Sequence, residues 1–391
     1  MQSFTFHTPT EIIFGKESEL QTADMVKKHG GSKVILVYGQ NSVEKSGLLG
    51  KIEDSLTSAG LEVIKHGGAT PNPHLSFAKE GIKKALDFGV DFVLAIGGGS
   101  AIDAAKAIAH GTKNPETDIW KFWLREEIVT KSLPIGVVLT ISAAGSETST
   151  SAVITNTETG KKRGLNTDFN RPRFAIMNPE LTYSLPKYQI ACGIADILMH
   201  SLDRYFSPEV NENKHNEMTD EIAESVMRVV VNNALKVLND PTNYDAQSEI
   251  MWAGSISHNG ITGLGRTMDF TVHQLAHELG GKFDVAHGAA LTTMWGSWAR
   301  YNLHINSERF RRLGKKVLGV GSSRLAVAEM EKFFKLIGMP TNFTELKIGV
   351  QPKEVIDELA DSCVFYGKRL VGTFNPLDRQ AVWDIFEGAN V

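Results

Sequence analysis

The chain has 391 residues, enough for two domains and a sizeable core. Lys and Arg total 41 against 45 Asp and Glu, a formal net charge of −4 with the basic residues scattered, which argues against nucleic acid as a partner. Cys192 and Cys363 stand far apart in apolar sequence, so reduced thiols in the cytoplasm are expected in place of a disulfide framework. The opening MQSFTFHTPTEIIFG lacks the charged and apolar regions of a secretion signal, and no run has the apolar length to cross a bilayer. An unexported, soluble protein with no membrane partner is expected.

In chain order, SFTFH and EIIFG read as short edge strands able to pair between subunits. ESELQTADMVKKHGG reads as a helix stopping at Gly30 and Gly31. SKVILVYG, LEVIKHGG, DFVLAIGGG, LPIGVVLT and RFAIMNP read as strands. Between them LSFAKEGIKKALDFG is helical, with Phe77, Ile82, Ala85 and Leu86 on one broad face before Gly89. The alternation predicts an α/β domain with a parallel sheet and ligands beyond the carboxyl ends of its strands. After NPELTYSLPKYQ strand-like runs nearly vanish and long helical patterns such as TDEIAESVMRVVVNNALKVL take over. The boundary is placed near Pro186, giving an α/β domain over 1–185 and an all-helical domain over 186–391.

FVLAIGGGSAIDAAKAIAHG joins an apolar strand to a helix through Gly97, Gly98 and Gly99. Free N–H groups and the positive dipole end of a helix attract phosphate there, and missing Cβ atoms allow close approach. Ser100 and Asp103 have capping-box spacing for the same helix start. A lone glycine triplet serves equally as a tight turn. The small polar residues of TISAAGSET and YGQNS at two other strand ends favour one shared ligand crevice.

In YQIACGIADILMHSLDRYF, Asp196 and His200 lie one helical turn apart among apolar residues, where an unpaired carboxylate is costly. A cation resolves that cost, as does an Asp–His hydrogen bond in the core. HQLAHELGGKFDVAHG adds His273, His277 and His287, the last reached after GGKFDVA breaks the helix and turns the chain back. Three imidazoles and one carboxylate suit a borderline divalent metal. Spacing alone leaves open whether His273 chelates with His277 or with His287. Gln274 follows His273, so the H-E-x-x-H pattern of a metalloprotease is absent.

The sequence resembles the iron-containing, or group III metal-dependent, alcohol dehydrogenases, and their butanol dehydrogenase branch in particular. The resemblance spans the chain through FGKES, Pro71-Asn72-Pro73, GGGSAIDAAK, DIWKFW, TISAAGSE, NPELTYSLP, ADILMHSLDRY and HQLAHELGGKFDVAHG. It implies an amino-terminal dinucleotide-binding domain, a helical metal-binding catalytic domain of dehydroquinate synthase-like architecture, a reaction in the cleft between them, and a homodimer. It assigns Asp196, His200, His273 and His287 as ligands of one Fe²⁺ or Zn²⁺. His277 becomes a non-ligand that assists proton movement or shapes the pocket. Gly97, Gly98, Gly99 and Ser100 take the pyrophosphate, with Asp103 in the same helix start. Asn72, Thr140, Ser142 and Leu181 are further cofactor contacts, and Lys162 contacts a ribose, although Lys161 is adjacent.

Family members favouring NAD often carry Asp just after the second strand, where it repels a 2′-phosphate. Here Gly39, Gln40, Asn41 and Ser42, with Lys45 nearby, include no acid, so NADP(H) is the expected cofactor, with NAD(H) second. Asn178 stands where Asp is common and is read as structural. Trp120, Trp252 and Phe270 offer an apolar wall suited to short-chain alcohols and aldehydes. The expected enzyme is a reversible alcohol dehydrogenase acting mainly as an aldehyde reductase. A glycerol-type polyol dehydrogenase using NAD, a dehydroquinate synthase-like lyase and a non-catalytic metal- or nucleotide-binding protein are the alternatives.

Overall fold

The strands are β1 (Glu11–Phe14), β2 (Lys33–Gly39), β3 (Glu62–Ala69), β4 (Phe92–Gly97), β5 (Ile135–Leu139), β6 (Ser151–Asn156), β7 (Lys161–Asn166) and β8 (Phe174–Met177). They come from a computed structural model that describes residues 1–40, 42–208 and 216–391. The expected contact at Asn41 lies outside the described residues. Contacts divide the chain into two units, His7–Ser184, and Met1–Phe6 with Leu185–Val391.

In the first unit a parallel sheet runs β1-β8-β5-β4-β2-β3. Its inner strands β4, β5 and β8 are buried along their whole length, which is why they read as unbroken apolar runs. Helices α1 (Thr22–Lys28), α2 (Ser42–Lys45), α3 (Leu48–Ser58), α4 (Leu75–Phe88), α5 (Gly99–Lys113) and α6 (Trp120–Leu124) complete the unit. The chain leaves β2 for β3 on one side and returns with β4 on the other, so the strand order reverses between β2 and β4. Register aligns Tyr38 with Ile96 and Gly97 with Leu139, so the segments after β2, β4 and β5 leave the sheet at the same end. Such a reversal is where open parallel sheets bind ligands.

Two expectations change, and one element is new. SFTFH forms no strand: residues 1–6 join the second unit, where the Gln2 N–H donates to the Gly265 carbonyl at 2.9 Å. Leu86 points outward, because α4 buries Leu75, Ala78, Gly81 and Ala85 instead. The antiparallel hairpin β6–β7 was not foreseen. Asn178 has a clear structural use. Its Oδ1 accepts from the Glu180 N–H at 3.0 Å, and its Nδ2 donates to buried Glu19 at 2.9 Å. An aspartate would set two buried carboxylates face to face.

The second unit is helical: α7 (Lys187–Tyr205), α8 (Glu217–Asn239), α9 (Tyr244–His258), α10 (Thr271–Phe283), α11 (His287–Asn302), α12 (Ser307–Leu313), α13 (Ser323–Leu336), α14 (Lys353–Cys363) and α15 (Arg379–Ala389). α7 is buried on all sides from Gly193 onward, the mark of a central core helix. Phe206 closes its end against Phe310 at 4.4 Å and Trp298 at 5.3 Å between ring centroids. Among the described residues no helix is long and apolar enough to cross a membrane.

Candidate functional site

Because α7 is buried all round from Gly193 onward, its polar residues stand out. Asp196, His200 and Asp203 follow one another at intervals of four and three, which places them on one stripe. α10 brings His273 to that stripe. Its Nε2 lies 3.6 Å from Asp196 Oδ1, and its Nδ1 lies 2.7 Å from Asp203 Oδ2. Asp203 is an acceptor there and also takes the Val272 and His273 backbone N–H groups. The His273 hydrogen therefore sits on Nδ1, and the Nε2 lone pair faces Asp196.

His200 Nδ1 is 3.3 Å from the same Asp196 oxygen, and His287 Nε2 is 3.9 Å from it. The donor atoms of Asp196, His200 and His273 all lie within 4.8 Å of one another. Asp196 Oδ1, His200 Nδ1 and His273 Nε2 are buried and have no hydrogen-bond partner. Three acceptors converging with no hydrogen between them is unfavourable for a folded protein alone. One divalent cation satisfies all three, and a set of imidazoles with one carboxylate fits Fe²⁺ or Zn²⁺. Burial first, then the neighbouring His258, His273 and Arg204, holds the His200 imidazole well below its ordinary range, in the neutral form that ligates. For His273 burial also opposes the charge, but Asp196 and Asp203 outweigh it and raise the pKa, so a cation at Nε2 would compete with a proton there.

His287 reaches the group through two backbone features. The turn after α10 is made by Asp284, at φ +51, and the helix runs straight through Gly280 and Gly281, so the expected break at the glycine pair is shifted. α11 then packs so closely on α7 that a Cβ on Gly288 would stand 2.2 Å from the Cys192 carbonyl oxygen. His277 is half-buried one turn beyond His273, with its ring 5.5 Å from that of His287.

Residues passed over in the sequence also gather here. The His258 ring lies 3.9 Å from that of His200. Arg204, buried, shares a hydrogen bond with His258 Nδ1 at 2.9 Å, donates to the His200 and Ser257 carbonyls, and lies over the Phe270 ring at 4.6 Å. Burial pushes its pKa down to about 9. Phe270 thus walls the cluster, whereas Trp252 is exposed and Trp120 is packed in the first unit's core.

At the sheet end of the first unit, Gly98 precedes α5, and a Cβ there would stand 2.0 Å from the Ile141 side chain. Gly99 and Ser100 open the helix itself, so Ser100 is not its cap and the capping box does not form. Asp103 turns instead to Ser146 and the Val153 N–H, at 2.6 and 2.8 Å. Thr140 and Ser142 follow β5, and the Ser142 hydroxyl is buried without a partner. The β6–β7 hairpin turns Lys162 inward, with Nζ 2.8 Å from Asn72 Oδ1, and leaves Lys161 exposed. Asn72 itself adopts φ +57, a left-handed conformation that Asn tolerates. Gly39 ends β2, Ser42 is exposed at the start of α2, and Leu181 packs on the apolar core of the sheet. Glycines that admit no side chain, free helix N–H groups and a partnerless hydroxyl fit a pyrophosphate-bearing nucleotide.

The profile described as iron-containing alcohol dehydrogenase matches residues 9–179, and that of the Fe-containing alcohol dehydrogenase family, C-terminal, matches 190–390. The chain belongs to the iron-containing alcohol dehydrogenases. It is 33% identical to NADH-dependent butanol dehydrogenase A of Clostridium acetobutylicum, over 99% of both chains. It is 32% identical to the NADPH-dependent aldehyde reductase YqhD of Escherichia coli, over 88% of this chain and 89% of the relative. The crystal structure of NADH-dependent butanol dehydrogenase A from Thermotoga maritima superposes with a TM-score of 0.94 at 32% identity, covering 100% of this chain and 99% of the other. These likenesses place the chain in the butanol dehydrogenase branch and make it a metal-dependent oxidoreductase of alcohols and aldehydes.

Asp203 orients His273, so Asp203→Asn should lower metal affinity about 10- to 100-fold while the fold is kept. Competition against a chromophoric chelator measures this, and unchanged affinity would separate Asp203 from the metal.

Proposed function

We propose that the chain reduces short-chain aldehydes with NADPH, reversibly, using one divalent cation held by Asp196, His200, His273 and His287. The observation that carries this reading is the set of buried, partnerless donor atoms on Asp196, His200 and His273. The cation, once bound there, supplies a Lewis acid for the alcohol or aldehyde oxygen, and the nicotinamide supplies or accepts the hydride. His200 and His273 contribute neutral nitrogens, Asp203 keeps the His273 hydrogen on Nδ1, and Phe270 screens the group from water. His277, beside His287, moves the proton that hydride transfer requires or shapes the pocket for it.

For the nucleotide, Gly97, Gly98, Gly99 and Ser100 take the pyrophosphate, and Thr140, Ser142, Asn72, Lys162 and Leu181 surround the remainder. Asp103 serves from behind, through Ser146. The first residue after β2 is Gln40, and Gln40, Asn41 and Ser42 include no acid to repel a 2′-phosphate. That supports NADP(H) over NAD(H), the cofactor named for the Clostridium relative. Cys192 and Cys363, neither in a disulfide, support residence in the reducing cytoplasm.

With butanal, the metal-loaded protein should oxidise NADPH at higher kcat/KM than NADH, and chelation should abolish turnover until Fe²⁺ or Zn²⁺ is restored. Full turnover of the metal-free protein contradicts the metal role, a clear NADH preference contradicts the cofactor assignment, and an unaltered pH profile in His277→Ala removes its proton role. We further propose a homodimer in which the open edge at β1, with Phe14 exposed, is covered by a second copy. Sedimentation equilibrium should return twice the chain mass at micromolar concentration; a monomer overturns this.

A further inference from the structure

Lys106 lies on α5 with its side chain wholly shielded from solvent, an expensive place for an ammonium. All three of its hydrogens are used. Nζ donates to the Ser146 carbonyl at 2.8 Å, the Ser146 hydroxyl at 2.7 Å and the Ser151 carbonyl at 2.7 Å. The Ser146 hydroxyl passes its own hydrogen to Asp103 Oδ1, and Asp103 Oδ2 accepts from the Val153 N–H. One charge pair on α5 therefore fastens the segment joining β5 to β6 at its middle, through Ser146, and at its β6 end, through Ser151 and Val153.

That segment forms one wall of the glycine cradle. Its Ile141 occupies the space a Cβ on Gly98 would need, and its Ala144 lies 3.1 Å from a Cβ built on Gly99. It also carries the partnerless Ser142 hydroxyl. We propose that Lys106 is a positioning residue for the nucleotide: its ammonium pins segment 140–151 against the start of α5, and cofactor affinity depends on that pin. The inference rests on reading the cradle as the dinucleotide site.

The charge state of the pin is adjustable. Burial pushes the Lys106 pKa down to about 8, against the opposing pull of Asp103 and Glu147 and with the help of Arg171. His110, one turn further along α5, is held near 4 by burial and stays neutral at neutral and alkaline pH. Lys162 adds positive charge facing Asp103. Deprotonated, Lys106 has two hydrogens for three acceptors and turns a lone pair toward an oxygen. The pin is thus complete below pH 8 and weakened above it.

The test is NADPH binding by the full-length, metal-loaded protein, followed by nicotinamide fluorescence from pH 6.5 to 9.5. The wild-type Kd should rise roughly tenfold across a transition centred near pH 8. Lys106→Met should weaken binding about tenfold at pH 7, with the loss falling on the cofactor KM more than on kcat. Because that variant strands Asp103, the double variant Lys106→Met/Asp103→Asn is measured beside it as a neutral replacement of the pair. The double variant should lose the transition near pH 8, a change that loss of stability alone does not produce, while Lys162 and Arg171 act alike in both proteins. A folded double variant with wild-type Kd and pH profile, or a wild-type Kd that is flat through pH 8, overturns the proposal. Failure of the wild type to bind NADPH or NADH at any pH overturns the dinucleotide reading beneath it.

Discussion

A carboxylate oxygen and two imidazole nitrogens, all acceptors, meet inside an apolar helical unit with no hydrogen among them. Several features of that unit accommodate such an arrangement. α7 is buried on every side, so its single polar stripe has no solvent to relax into. Asp203 takes the one hydrogen His273 can offer, and close packing at Gly288 delivers His287 to the same oxygen. Breaking one partner of such a buried group leaves the rest uncompensated, so cation binding and local order are one equilibrium here.

The first unit solves a different problem, how to hold a highly charged ligand with few charges of its own. Its sheet reverses direction between β2 and β4, and the chain beyond them is stripped of side chains where α5 begins. On the proposed reading, backbone N–H groups and small hydroxyls then supply the contacts. The buried charges are kept one layer back, in Asp103 and Lys106, where they shape the wall without meeting the ligand. Lys162 is the exception, brought to Asn72 by the β6–β7 hairpin.

Much of this was legible in the sequence for a physical reason. Strands buried on both faces are continuous apolar runs, and a carboxylate and imidazole one turn apart in apolar surroundings are conspicuous by their cost. Asp203 carried the same signal, three residues past His200 on the same face, and was passed over. His258 carried none: it reaches His200 only through the packing of α9 on α7, which local pattern does not encode. The β6–β7 hairpin was hidden because KKRGLN has neither strict alternation nor an apolar run. Ser100 and Asp103 had the spacing of a cap, but the helix starts at Gly99, two residues ahead of where that spacing required, and the carboxylate found backbone and hydroxyl donors elsewhere.

The central claim is that these side chains share one ion. Anomalous diffraction from crystals of protein reconstituted anaerobically with Fe²⁺, collected above and below the metal edge, locates that ion without reference to activity. A single strong peak within bonding distance of Asp196, His200, His273 and His287 is the predicted result. A peak bound elsewhere, or one that leaves the Asp196 oxygen and the His273 nitrogen untouched, would contradict the account.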